Sequence, residues 1–118
     1  MSGTGPDMPG VLPFGPAHIL VAGSRWTSRD AFRGLEVDLQ FPDGRAAGAL
    51  CFAARGARSG LAFDEEQRVS RETLETLRTY MLRECGVNAM VAQDAMEDLL
   101  DTLREILADV PLPHELRS

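Results

Sequence analysis

Over residues 35–41 apolar and polar side chains alternate without a break, Leu35, Val37, Leu39 and Phe41 against Glu36, Asp38 and Gln40. Successive side chains of a β-strand point to opposite faces, so this run can bury one face as a strand. Wound as a helix, the same four apolar groups would scatter around the axis. Pro42-Asp43-Gly44 follows, with proline setting φ for a turn and glycine supplying a positive φ, and residues 47–54 read as the return strand. A β-hairpin is therefore the element around which this chain must fold.

The remaining segments are placed by weaker signals. Residues 18–22 are apolar and β-branched, which predicts a short buried strand ending at Gly23, and residues 60–63 predict another. Ser70 is a suitable N-cap for a helix whose Leu74, Leu77, Met81 and Cys85 share one side and which Gly86 terminates. Asn88 can cap a second helix reaching about Asp109, before Pro111 and Pro113. The fold class is accordingly α+β, a small antiparallel sheet of four or five strands or a partly open barrel, followed by two C-terminal helices. Residues 1–16 hold four of the seven prolines and four of the eleven glycines without strand or helix period, so they are expected to form a flexible tail. The expected organisation is a tail over 1–16, a sheet and first helix over 17–87, an association helix over 88–110 and a second tail over 111–118.

With 118 residues the chain can bury one core. Its net charge of −6 disfavours nucleic acid and anionic membrane surfaces as partners, since binding to phosphate needs clustered positive charge. All twelve basic residues are arginine. Residues 1–60 carry six of them against five acids, and residues 61–118 six against thirteen, so the acidity belongs to the C-terminal half. Two cysteines make no disulfide framework, and neither a leader nor a long apolar span is present, which predicts a reduced, cytoplasmic chain without membrane insertion.

Nothing in the sequence assembles catalytic chemistry. His18 and His114, the only histidines, fall in a strand and a proline-rich end, so neither a metal cluster nor a histidine-based triad is predicted. Cys51 and Cys85 read as buried or half-buried thiols, and no cofactor motif occurs. Arg25, Arg29 and Arg33 recur every four residues around Trp26, a spacing that could gather guanidinium groups beside an aromatic plate and hold a nucleotide or anion. Ordinary surface arginines are the other reading.

The second helix has the most unusual pattern. Ala92, Met96, Leu99, Leu103, Ile106 and Val110 follow the alternating four-and-three spacing of a coiled-coil seam. Met96, Leu99, Leu103 and Ile106 are therefore candidates for a homodimer interface, with packing inside one chain as the competing reading. On the other side, Asp94, Glu97, Asp98, Asp101, Glu105 and Asp109 stand against Arg104 alone. That face is either solvated or a dock for a basic protein partner.

The order of these segments resembles the C-terminal two-thirds of a PilZ domain, the small β-barrel module of bacterial cyclic-di-GMP signalling. The likeness covers about residues 19–82, in the stretches ILVAGS, GLEVDLQFPDG, ALCFAA, GLAFDEE and RETLETLRTYM. The family's ligand motif places arginines and an Asp/Asn-x-Ser-x-x-Gly segment before the first of these strands. Here that place is Gly10-Val11-Leu12-Pro13-Phe14-Gly15, without the Asp or the Ser, and Arg25 and Arg29 lie beyond Ile19. The resemblance thus implies a degenerate member acting as a protein-binding adaptor, self-associating through its added C-terminal helix, rather than a cyclic-di-GMP receptor.

Overall fold

The computed structural model describes residues 2–29, 32–54 and 60–116. Its elements are β1 (Ser2–Thr4), β2 (Val11–Phe14), β3 (Ala17–Arg29), β4 (Phe32–Gln40), β5 (Ala46–Ala54), β6 (Leu61–Phe63), α1 (Arg68–Arg83) and α2 (Ala89–Leu107), then a 3-10 turn at His114–Leu116. Every strand pairing is antiparallel, and β3, β4, β5 and β6 follow one another across the sheet. β2 and β1 share the outer edge of β3, β2 on its first residues and β1 on its later ones. Both helices cover one face, α2 reaching β2 near one edge and β6 at the other, so the sheet curls over it. The α+β class expected from the sequence is the one found.

The alternation in β4 performs as anticipated. Leu35, Val37, Leu39 and Phe41 are buried and meet Ile19, Leu50, Phe52, Leu77, Met81 and Leu99 in a single core. The turn after Phe41 closes with Gly44 N–H donating to the Phe41 carbonyl at 2.9 Å, while Asp43 Oδ1 accepts from Arg45 N–H. β3 runs well past Gly23, because Ala22 bulges out of register between Val21 opposite Leu39 and Gly23 opposite Asp38. One extra residue exchanges the two faces, so Ile19 and Val21 point inward before the bulge and Ser24 and Trp26 after it.

The expectation of a flexible tail over 1–16 is corrected for the described part of it. β2 places Leu12 and Phe14 in the core, with Val11 and Pro13 outside. Pro13 is compatible with this strand, because an edge strand tolerates a residue without an N–H. The second expected tail is corrected too: Leu112 and Leu116 are buried, and Arg33 Nη2 donates to the Glu115 carbonyl at 3.1 Å. Residues 1, 117 and 118 of these two tails lie outside the described residues.

Ser70 does not cap α1. The helix begins at Arg68 after Gln67, and Ser70 is buried inside it, where its Oγ accepts the Cys51 N–H at 2.9 Å. One turn on, Thr73 Oγ1 donates to the Ala49 carbonyl at 2.7 Å, with the Val69 carbonyl of its own helix at 2.8 Å. α1 thereby serves the backbone groups that β5 would otherwise leave bare along its edge. The approach is close enough that a Cβ on Gly48, whose φ is +118°, would collide with Thr73 Oγ1. Replacing Thr73 by valine keeps the shape and strips the donor from a buried carbonyl, an expected loss of about 1–3 kcal/mol. Chemical denaturation should show it, with Thr73→Ser close to the parent; equal stabilities of the valine variant and the parent would refute the edge role.

The helix ends beyond this follow the sequence. Gly86 adopts φ +67° after α1, and Asn88 Oδ1 accepts the Val91 N–H at 2.9 Å. The seam expected for α2 is corrected. Met96, Leu99 and Leu103 are buried in the core of their own chain, and Ile106 packs beside them. Two helices lying on a curled sheet bury a broad apolar stripe, and such a stripe contains the four-and-three spacing whether or not a second copy exists.

Candidate functional site

The arginine and tryptophan residues are not gathered on one face. They lie in β3, where Arg25 and Arg29 share the outer face and Trp26 turns inward against the core. Across from them, Glu36 of β4 is directed outward yet only 4 % of its side chain is exposed. Arg25 Nη2 donates to Glu36 Oε2 at 2.8 Å and Arg25 Nη1 to Asp38 Oδ2. Arg29 Nη1 stands 2.7 Å from Glu36 Oε1 as an ion pair whose angle falls short of a hydrogen bond. Burial works against the charge of Arg25, but Asp38 and then Glu36 outweigh it and raise the guanidinium pKa. Both guanidinium groups are neutralised by carboxylates of their own sheet, and the aromatic plate faces the other way. Arg33, the third of the series, faces the C-terminal 3-10 turn.

Cys51 pairs with Glu36 on this outer face and is fully buried. Burial pushes its thiol pKa up, with the nearby Glu36 carboxylate adding to the effect against the Ser70 hydrogen bond. A thiol so placed is a poor nucleophile at neutral pH. Cys85 is a second free thiol, half-buried beyond the end of α1.

A cleft opens where β6, α1 and α2 meet. Phe63, Leu74, Met96 and Leu100 supply apolar surface, and Glu65, Gln93, Glu97, Asp101 and Arg104 line its polar part, around a volume of about 430 Å³. A second hollow adjoins it through Phe63, Glu65 and Arg104 and is bounded also by Asp64 and Glu66. Each wall has a local cause. β6 turns Phe63 inward, where its ring meets Phe52 edge-on at 5.6 Å between centroids. The Asp64-Glu65-Glu66 turn follows at once, and Glu66 N–H donates to Asp64 Oδ1. On α2, Gln93, Glu97, Leu100, Asp101 and Arg104 recur at three and four residues, on the flank of the helix next to the buried stripe.

The charge of this cleft is strongly one-sided. Among the described residues, five carboxylates and one cation border the two hollows, and that cation, Arg104, is already engaged by Asp101 at 2.8 Å. Of the acidic face expected on α2, Glu97 and Asp101 reach the cleft, while Asp94, Asp98, Glu105 and Asp109 stay on the exposed surface. Phe63, Glu65, Leu74 and Leu100 were not singled out as site residues from the sequence. The signal available was the acidic triplet after β6, but its partners on α2 stand some thirty or more positions away, and only the fold joins them.

Comparison with known proteins adds no relative: no family model, curated protein or solved structure matches this chain. Among the described residues no helix is long and apolar enough to cross a membrane.

Proposed function

We propose that this protein is a non-enzymatic adaptor of the cytoplasm that works by holding a segment of another protein in the cleft between β6, α1 and α2. The observation that carries this is the pairing of an apolar floor, Phe63, Leu74, Met96 and Leu100, with a rim of Glu65, Glu97 and Asp101. Exposed apolar area favours a contact that removes it from water, and the excess of carboxylates around it selects cationic partners over acidic ones. A basic segment fits both demands, since arginine and lysine carry apolar stems beneath their charged ends. The proposal agrees with the adaptor role implied by the PilZ resemblance, but it moves the contact surface from the stripe of α2, which the core occupies, to the flank beside it.

Titration calorimetry with a short peptide of alternating arginine and threonine tests this. Binding is expected to weaken as salt rises, because the rim is exposed and screened. The double reversal Glu97→Arg/Asp101→Arg should weaken it by about tenfold or more, since two attractive contacts become repulsive. Both positions are exposed, so the variant should keep the parent circular dichroism. Unchanged affinity in a folded double variant would remove the cleft as the contact surface.

A further inference from the structure

We infer that the segment held by the cleft enters as an added antiparallel β-strand along the free edge of β6, with arginine or lysine side chains at every second position directed into the cleft. This rests on the cleft being the contact surface. The sheet edge on this side is treated in two ways. Along β5 it is closed, because Ser70 and Thr73 of α1 serve the Cys51 N–H and the Ala49 carbonyl. Along β6 it is open, since among the described residues no strand pairs with its far side.

The direction of the free backbone groups follows from the register. Asp64 N–H donates to the Cys51 carbonyl at 2.8 Å, so Cys51 directs its polar groups toward this edge, as does Ala53 two residues on. Ala53 stands opposite Ala62, which leaves the N–H and carbonyl groups of Leu61 and Phe63 turned away from β5. An antiparallel strand would exchange hydrogen bonds with those two residues, and the residues opposite them would project to the same face as Phe63. That face is the cleft. A long cationic side chain entering there lays its methylene stem on Phe63 and Leu100 and sets its charged end among Glu65, Glu97 and Asp101. Main-chain pairing then provides adhesion and the alternate side chains provide selectivity.

The test uses the full chain and three forms of the arginine–threonine peptide: unmodified, N-methylated at the arginine amides, and N-methylated at the threonine amides. In the added strand the arginine residues face the cleft, and it is their N–H groups that meet Leu61 and Phe63. Methylation at arginine should therefore weaken binding about tenfold or more, and methylation at threonine should leave it near the parent value. If both methylated forms bind like the parent, or both weaken alike, strand addition is overturned while the cleft survives as a side-chain dock. If the unmodified peptide does not bind at all, the cleft and the strand fall together.

Discussion

Leu103→Asp is expected to unfold this protein rather than to split an oligomer. Leu103 is completely buried in the core shared by α2 and the sheet, so the substitution removes its packing and places a carboxylate among apolar groups. The cavity alone costs about 2–5 kcal/mol on the scale of buried Leu→Ala changes, and the buried charge adds several more. Against a total of about 5–15 kcal/mol for a domain, little or nothing remains. The far-ultraviolet spectrum should show an unfolded chain at room temperature, and Leu103→Ala, the milder change, should remain folded with a lowered denaturation midpoint. Had α2 been an interface between copies, Leu103→Asp would give a folded monomer by light scattering. That outcome would sink the placement of the stripe in this chain's own core.

The second large effect concerns the outer face. Arg25→Met/Arg29→Met leaves Glu36 in place with both of its counter-charges removed. Breaking a buried pair from one side costs about 3–5 kcal/mol, and the half-exposed position of both arginines argues for the lower end, about 3 kcal/mol. Adding Glu36→Met to the pair should restore much of that loss, because the triple variant no longer buries an uncompensated charge at position 36, leaves only the partly exposed Asp38 without its partner, and covers the same face with apolar side chains. Urea denaturation of the parent, double and triple variants reads the difference. A triple variant no more stable than the double would mean that the arginines act through packing of their stems, not through their charges.

The legibility of this fold in its sequence divides along physical lines. The hairpin around Pro42 was plain because alternation, turn chemistry and return strand agree over one continuous stretch, and the helix stop at Gly86 and the helix start at Asn88 were plain because capping is local. β2 was hidden by its four-residue length and Pro13. The second half of β3 was hidden by the bulge at Ala22, which breaks the two-residue period on which a strand assignment depends, so that Arg25, Trp26 and Arg29 could not be given faces. Once the faces are known, the nucleotide reading loses its geometry, since the tryptophan and the arginines point apart. Ser70 misled for a different reason: a hydroxyl near the start of a helix can serve its own helix or a neighbour's backbone, and the sequence does not distinguish the two. The cleft was legible in its parts, an acidic helix flank and an acidic turn, but their meeting depends on α2 crossing beneath β6.

The bulge in β3 also constrains how this chain can vary. With Ala22 present, a single strand contributes its odd-numbered residues to the interior before that point and its even-numbered residues after it. The alanine side chain is exposed there, and many residues could replace it without disturbing the core. Its omission is another matter, for a straight strand would carry Arg25 and Arg29 inward and turn Trp26 out to water. Position 22 thus resembles a phase marker, where substitution is tolerant and deletion is not.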